Sequence, residues 1–306
     1  MRVVILAVLL APPGTVYAQP ANQPDVAATV NGQAITLAEV DAALNATLPQ
    51  APLSAHQRKQ LRATVINDLI DDVVLKQFLA KNAPKADQEE LEAQMKALAA
   101  QLVKENRTLA EYLKQTGQTE AQLRATWAMQ NQLTAYVKTQ VTDAQLKAYH
   151  AANRDYFDKV EVRVNHIMFR VNRNFPPAEK AAAKEKLEAL RSSLLAGKID
   201  FATAARKYSQ CTSAKSGGDL GFIFRRGLPE DEPLAKAAFA MKVGELSGVI
   251  ETEYGLHLVT ITDRKPGTPS VLEKCIVEVL EAYTDDYRNE LVKKLRKEAQ
   301  IKITLP

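Results

Sequence analysis

A glycine-rich segment, residues 208–221, is the feature that most restricts the fold of this chain. It contains the adjacent residues Gly217 and Gly218, and glycine is the residue that suits a tight turn where the backbone must adopt positive φ. A histidine lies on each side of the segment, His166 upstream and His257 downstream, and each has apolar neighbours. Both stretches read as strands, so this part of the chain predicts a sheet connected through a glycine turn.

The hydrophobic period changes near Lys159, from helical spacing before it to an alternation of apolar and polar residues after it. One face of the predicted strand carries His166 with four apolar side chains, namely Val160, Val162, Val164 and Met168. Pro176 and Pro177 then begin a helix that ends at Gly197. The remaining elements are a shorter helix around 201–208, a small helix at 234–239, and strands near 249–252 and 256–262. The predicted order is β-α-α-β-α-β.

From about residue 160 to 264 these pieces resemble the parvulin family of peptidyl-prolyl isomerases in order and in spacing. That family carries a histidine on its first strand, a Cys or Asp near a Gly-Gly-Asp-Leu-Gly turn, and a histidine on its last strand. The resemblance implies an α+β fold for this region, a twisted antiparallel four-stranded sheet surrounded by helices. It also implies catalysis of cis-trans isomerisation at X-Pro bonds.

The resemblance assigns roles to individual positions of this sequence. The residues at catalytic positions are His166, Cys211, Ser213, Thr252 and His257. The residues at or near proline-pocket positions are Leu220, Phe222, Leu228, Leu234 and Phe239. The chain between Gly221 and Phe239 is slightly longer than in some family members, so Leu228 and Leu234 could each be displaced by one residue.

The chemistry of X-Pro isomerisation fits such a set of residues. Rotation about the bond breaks amide resonance, and the barrier is about 20 kcal/mol. Lowering this barrier requires an apolar pocket for the proline ring and polar groups that favour the twisted amide. We therefore expect His166 and His257 to shape the site through a hydrogen-bond network rather than to transfer a proton, and we expect no metal or cofactor. His56 and His150 lie in polar helical contexts and are predicted to be surface residues.

Other uses of the same residues are less well supported by the sequence. Cys211 could be a protease nucleophile with a histidine, but no protease signature surrounds it. The turn at 216–221 lacks the Lys-Ser/Thr of a P-loop, so it is not a phosphate cradle. Arg170 and Arg173 are too few to indicate recognition of phosphoserine. The net charge of +4 is mild, and no motif indicates nucleic-acid binding.

The first eighteen residues differ from the rest of the chain. Arg2 precedes a short apolar run, and a Pro-Pro-Gly break is followed by the small residue Ala18. This pattern predicts a secretory signal peptide, residues 1–18, with a mature chain that begins at Gln19. Export predicts a periplasmic location, because no lipoprotein cysteine follows the signal, and we expect no membrane-embedded segment in the mature chain. The two cysteines, Cys211 and Cys275, are expected to remain free thiols.

Residues 26–157 are predicted to be mainly helical after a small hairpin that turns at Asn31 and Gly32. The Ser/Thr-x-x-Glu/Gln spacing of a capping box begins five segments, at Thr36, Ser54, Thr108, Thr119 and Thr142. Apolar stripes at helical spacing follow these starts, and they predict inter-helix packing or, alternatively, apolar surface left open to bind unfolded chains. The block resembles the helical chaperone domains of periplasmic foldases of the SurA and PrsA kind, on the phrases Val-Asn-Gly-Gln-Ala-Ile-Thr and Val-Thr-Asp-Ala-Gln-Leu-Lys-Ala-Tyr.

The C-terminal segment follows a Pro- and Gly-containing linker at 265–269 and reads as a long helix, 271–298, with a closing strand. We expect it to return to the N-terminal helices, as the resemblance implies, or alternatively to form a dimer. The predicted organisation is a signal peptide at 1–18, a chaperone-like domain at 19–158, an isomerase domain at 159–266, and a segment at 267–306 that packs on the N-terminal domain.

The predicted function is that of an exported peptidyl-prolyl isomerase with chaperone activity. Its partners would be unfolded or partly folded exported polypeptides, including secreted and outer-membrane proteins. The alternative is a holdase whose isomerase module only binds peptide. Measured catalysis on a short X-Pro peptide would distinguish the two.

Overall fold

We describe a computed structural model of the chain, in which residues 25–47, 55–171, 175–226 and 232–304 are described. Contacts divide the chain into two units. The first unit contains residues 1–140 and 284–306, and the second contains residues 141–283. The predicted signal peptide, the predicted cap at Ser54 and the predicted pocket residue Leu228 lie outside the described residues.

The first unit begins with the predicted hairpin, which is confirmed. Strands β1 (Val26–Val30) and β2 (Gln33–Thr36) pair in antiparallel fashion. Asn31 and Gly32 connect them with φ angles of 50° and 85°, which is the turn that this dipeptide favours. The C-terminal strand β7 (Ile301–Ile303) pairs with the other side of β1. The sheet order is therefore β2-β1-β7, which joins the C-terminal strand to the N-terminal hairpin, while residues 267–283 belong to the second unit.

The described residues of the N-terminal part also form five helices: α1 (Leu37–Thr47), α2 (Ala55–Asn82), α3 (Gln88–Lys104), α4 (Leu109–Thr116) and α5 (Glu120–Gln140). Three of them begin at predicted capping boxes. The hydroxyl of Thr108 accepts the backbone N–H of Glu111, whose carboxylate accepts the N–H of Thr108 in return. The same reciprocal bonds join Thr36 to Glu39 and Thr119 to Gln122. These helix starts are fixed by residues three positions apart.

The core of the first unit is built from the predicted apolar stripes. Their buried members are Ile66, Ile70 and Val74 on α2, Leu91, Met95 and Leu102 on α3, and Leu123, Leu133 and Val137 on α5. The second half of the last helix, α11 (Leu272–Glu298), belongs to the same unit. Arg288 pairs with Asp72 at 3.1 Å and Arg296 pairs with Asp71, so two ion pairs join this helix to α2.

The second unit contains the predicted four-stranded sheet. Its strands are β3 (Glu161–Phe169), β4 (Asp219–Phe224), β5 (Ile250–Glu251) and β6 (Leu256–Lys265), in the antiparallel order β4-β3-β6-β5. Its helices are α6 (Asp143–Ala152), α7 (Arg154–Phe157), α8 (Pro177–Leu195), α9 (Phe201–Tyr208) and α10 (Glu232–Ala240), with a 3-10 turn at Thr212–Ser216. The predicted α+β class is confirmed, but the observed order is β-α-α-β-α-β-β, with one more strand at the end than the predicted β-α-α-β-α-β.

Each face of this sheet has its own apolar core. One face carries Val162, Val164 and Ile261 against α10. The other face carries Ile167 and Leu258 against α8 and α9, with Leu187 fully buried between them. This double cover fixes the register of β3, because a shift by one residue would exchange the two faces.

A third apolar cluster joins α6 and α7 to the start of α11, around Phe157 and Val279. It corrects one prediction, because His150 is only 6% exposed and bonds the hydroxyl of Ser270 at 2.8 Å. Its helical context reads as polar, but the aromatic ring of Phe157 covers it, with ring centroids 5.2 Å apart. The cluster also places residues 141–158 with the second unit.

In the described part of the chain, no helix is both long enough and apolar enough to cross a membrane.

Candidate active site

The two predicted histidines are brought together by neighbouring strands. His166 lies on β3 and His257 on β6, where His257 pairs with Met168, two residues beyond His166. Their ring centroids are 5.5 Å apart and the rings are inclined at 32°. The pair is therefore a product of strand register, since the two residues are far apart in sequence.

Each histidine ring is buried and bonds one hydroxyl group. His166 is 5% exposed, and its Nε2 lies 3.0 Å from the Oγ of Ser213. His257 is 1% exposed, and its Nε2 lies 2.8 Å from the Oγ1 of Thr252. Neither Nδ1 atom has a hydrogen-bond partner among the described residues. Each imidazole is thus hydrogen-bonded to a hydroxyl group, and not to the other imidazole.

Burial sets the protonation state of this pair. Loss of solvation lowers the pKa of His166 to about 4. Loss of solvation also lowers the pKa of His257 to about 4, and the neighbouring His166 adds to this effect. Both imidazoles are therefore neutral at pH 7, and neither is poised to exchange a proton with substrate.

The glycine turn is held against the first histidine strand. The backbone N–H of His166 donates to the carbonyl of Gly218 at 2.8 Å, and Gly218 has φ +85°. A Cβ atom at this position would lie 2.3 Å from the carbonyl oxygen of His166. Only glycine allows this approach, which explains why the turn carries glycine where it meets the site.

Cys211 precedes the 3-10 turn and is partly buried. Burial by itself raises the pKa of the thiol, but hydrogen bonds from Ser213 and Thr212 favour the thiolate and bring the net pKa below its usual value. Ser213 also bonds His166, so one hydroxyl connects the cysteine loop to the histidine pair. Cys211 and Cys275 are both free thiols.

A bulge in the edge strand β4 decides which side chains face the site. Arg163 pairs with Phe222 and Asn165 pairs with Asp219, so three steps along β4 oppose two steps along β3. Gly221 is the extra residue, with φ +74°. Leu220 consequently lies on the histidine face of the sheet.

The same bulge places Phe222 on the opposite face, which differs from its predicted position in the pocket. There the ammonium group of Lys265 lies 3.8 Å from the centre of the Phe222 ring. Phe239 is also away from the cleft surface, since it is 7% exposed and packs in the core below Leu234.

The histidine pair lies at an open cleft of about 700 Å³. Five predicted residues line it: His166, Cys211, Leu220, Leu234 and His257. Ser213 and Thr252 hold the histidines from behind rather than lining the cleft. Five further residues line it that the sequence did not single out as site residues: Met168, Arg170, Phe175, Glu253 and Tyr254.

The sequence pattern could have predicted some of these additional residues as part of the cleft. Met168 and Arg170 follow His166 at intervals of two, and alternate residues of a strand share a face. Glu253 and Tyr254 lie in the turn between Thr252 and the last strand. Phe175 carries no such signal, because it lies beyond the end of β3, where the alternation of the strand no longer applies.

The arrangement fits a reaction without covalent chemistry. Leu220, Leu234 and Met168 offer apolar surface to a ring of the size of proline, and the neutral histidines stay behind it. The Cys211 thiol lies on the same cleft. Polar groups on one side and apolar walls on the other match the requirements for twisting an X-Pro amide.

Comparison with known proteins supports the same assignment. The family model of the PPIC-type PPIase domain matches residues 166–263, and the model of the SurA-like N-terminal domain matches residues 1–150. The foldase protein PrsA of Bacillus subtilis is 27% identical over 280 residues, which cover 91% of this chain and 86% of the relative.

Two further relatives match shorter stretches of the chain at higher identity. The peptidyl-prolyl cis-trans isomerase Pin1 of Arabidopsis thaliana is 40% identical over 83 residues, which cover 27% of this chain and 68% of the relative. The putative peptidyl-prolyl cis-trans isomerase SurA of Haemophilus influenzae is 34% identical over 147 residues, 46% of this chain and 45% of the relative. With its histidine pair, glycine turn and sheet order, the chain belongs to the family of PPIC-type peptidyl-prolyl cis-trans isomerases, here joined to a SurA-like N-terminal domain.

Proposed function

We propose that the cleft between Leu220 and the histidine pair isomerises X-Pro bonds of unfolded exported polypeptides without forming a covalent intermediate. The observation that carries this proposal is the buried, neutral pair His166 and His257, each bonded to a hydroxyl, at an apolar cleft that also holds Cys211. This histidine pair offers shape and polarity but is itself uncharged at pH 7.

In the proposed mechanism the proline ring of the substrate packs against Leu220, Leu234 and Met168. The carbonyl group of the residue before the proline rotates past the thiol of Cys211. As the amide twists, its nitrogen loses conjugation and its carbonyl becomes more like that of a ketone. Polar groups fixed before the reaction favour this state over the planar amide, because they need no reorganisation. Ser213 and Thr252 keep the two rings in place during the rotation.

The role of the first unit is proposed to be client binding, in keeping with its SurA-like match. A groove of about 400 Å³ in this unit is lined by Leu69, Val73 and Met129, with Asp72 and Lys76 among the polar residues around it. An apolar groove with charged residues beside it suits short apolar segments of unfolded chains. The predicted boundaries give residues 19–158 and 267–306 to the chaperone part and residues 159–266 to the isomerase part, whereas residues 141–158 and 267–283 belong to the second unit by their contacts.

The location is proposed from the first eighteen residues. A basic start, an apolar run and a small-residue exit support export to the periplasm and removal of residues 1–18. Clients would then be secreted and outer-membrane proteins in an unfolded or partly folded state. The chain would act without nucleic acid and without embedding in the membrane, as a monomer or a homodimer.

The test is catalysis of a short X-Pro peptide by the chain from Gln19, with Cys211→Ala and His257→Ala beside it. We expect each substitution to lower kcat/KM by about 10²-fold, the usual effect of removing one preorganised polar group. Cys275→Ala is the matched control, because Cys275 is a free thiol on α11 and does not line the cleft. No catalysis by folded wild type on any of several peptides would contradict the proposal, and prevention of aggregation would then be the activity to measure.

The bulge in β4 provides a second matched pair of substitutions, because it places Leu220 and Phe222 on opposite faces of the sheet. Leu220→Ala removes apolar surface from the proline pocket and is expected to raise KM. Phe222→Ala, two residues away on the opposite face, is expected to leave KM unchanged. An equal effect of the two substitutions would show that the proline ring does not bind at Leu220.

A further inference from the structure

A second cavity, of about 440 Å³, lies in the same unit beside the catalytic cleft. Phe169 and Val171, at the end of β3, and Ala183 on α8 provide its apolar lining. Val171 is buried and packs in the core that contains Ile167 and Leu187, on the face of the sheet covered by α8 and α9. The base of the cavity is therefore part of the folded core rather than a surface loop.

Two aromatic side chains stand at this cavity with a large part of their surface in solvent. Phe175 is 37% exposed and Tyr208 is 40% exposed. Aromatic rings contribute most to binding when a partner removes them from water, and a second ring packs well against them at an angle. The cavity therefore suits a large apolar or aromatic side chain.

The cavity adjoins the catalytic cleft. Arg170 and Phe175 line both. Their shared wall is fixed by the backbone, because the N–H of Gln210 donates to the carbonyl of Met168 at 2.8 Å and the N–H of Arg170 donates to the Oε1 of Gln210 at 2.6 Å. A polypeptide held in the cleft thus lies next to the second cavity, with Arg170 and Phe175 between the two sites.

The rim of the cavity carries charges of both signs. Arg170 and Lys186 are exposed cations, and Glu179 is an exposed carboxylate. Because charges of both signs lie at the rim, the cavity does not favour an acidic or a basic segment of the client. We therefore expect it to select apolar side chains.

The lining residues set the spacing along the substrate. Met168 lines the cleft and Val171 lines the second cavity, and residues three positions apart in an extended chain lie about 10 Å apart. We propose that this cavity is a flanking subsite that binds a large apolar or aromatic side chain three residues from the isomerised proline. The inference rests on the proposed isomerase function and adds to it a preference for client sequence.

The test compares three peptides with one X-Pro bond each, of equal length and charge. One carries Phe three residues before the proline, one carries Phe three residues after it, and the third carries Ser at both places. With the wild-type chain we expect one of the two Phe peptides to show a kcat/KM about tenfold above that of the Ser peptide, mainly through KM, as burial of one aromatic side chain predicts.

The variant Ala182→Trp fills the cavity from an exposed position on α8, and we expect it to reduce this ratio to about one. Ala189→Trp is the matched control, since Ala189 is exposed on the same helix and does not line the cavity, and it should keep the ratio near ten. Wild-type activity on the Ser peptide shows that the isomerase function holds, independently of the subsite. If that activity is present and neither Phe peptide is preferred, the subsite is refuted.

Two other outcomes also overturn the proposal. One is that Ala189→Trp abolishes the preference as fully as Ala182→Trp does. The other is that no Phe preference exists and Ala182→Trp changes the sedimentation of the chain, in which case the cavity is a contact between copies.

Discussion

The two units of this protein contrast in how their sequence encodes them. In the first unit, Thr36, Thr108 and Thr119 each begin a helix through bonds to a residue three positions away. In the second unit, the decisive contacts join His166 to Ser213 and to the backbone of Gly218, both about fifty positions away. Local contacts can form without the rest of the chain, whereas the site exists only after the sheet has formed.

This contrast predicts that the same kind of substitution has unequal effects in the two units. The largest difference is expected for Gly218→Ala against Gly32→Ala, since both glycines have φ +85°. At Gly32 nothing lies within 4 Å of the new methyl group, so only the backbone conformation is penalised, by about 1–2 kcal/mol. At Gly218 the methyl group would also meet the His166 carbonyl at 2.3 Å, and we expect a loss of at least about 4 kcal/mol together with loss of catalysis.

Amide hydrogen exchange in β3 and in β1, with the isomerisation rate, would measure the two effects separately. Equal loss of protection for the two variants would mean that the turn can move away from β3 at little cost. The difference between the units would then be smaller than the structure indicates.

Lowering the pH should change the stability of the two units differently, by an amount between those expected for the glycine substitutions and for the helix caps. The pKa of His166 and of His257 is about 4 in the folded chain and about 6.5 when unfolded, so the unfolded chain binds more protons between these values. Stability of the second unit is therefore complete above pH 6.5 and falls as the pH approaches 4, by about 3 kcal/mol for one histidine.

Two carboxyl groups on α2 in the first unit should respond in the opposite direction in acid. Burial raises the pKa of Asp72, and burial with the nearby carboxylates of Asp71 and Asp72 raises that of Asp68. A carboxyl group whose pKa is raised in the folded state gains stability as the pH falls toward its unfolded value. Exchange protection should thus fail first in β3 and β6, and later in α2. A double variant with His166→Gln and His257→Gln should lose most of the pH dependence of β3, and an unchanged dependence would contradict the assignment.

The smallest effect is expected at the helix caps. Thr119 caps α5 in the first unit and Thr142 caps α6 in the second, and each forms a box with a glutamine. Thr→Ala at either position should cost about 1 kcal/mol, because one backbone donor loses its partner. Exchange protection in the first turn of each helix measures this. A much larger loss at Thr142 than at Thr119 would show that caps in the second unit also carry long-range contacts.

Much of the site could be predicted because its residue types are rare in the chain and its glycines are indispensable. Only four histidines are present, and the two on strand-like stretches are the two at the cleft. Phe222 was misplaced, since a single extra residue at Gly221 exchanges the faces of β4 and no alternation pattern reveals it. His150 was misplaced because its partners are Ser270, which is 120 positions away and lies just before α11, and the ring of Phe157.

The sequence by itself determined the helix starts, the hairpin at Asn31 and Gly32, the alternation of β3, and the family. The local structures depend on contacts between residues that are close in the chain. The family assignment depends on uncommon residue types, such as histidine and paired glycines, at a particular spacing. The tertiary structure alone decided that the histidines bond hydroxyls and are neutral, that Met168 and Phe175 line the cleft, and that a second cavity adjoins it. Burial and strand register arise only when distant segments pack together, and both the pKa of a histidine and the lining of a cavity depend on that packing.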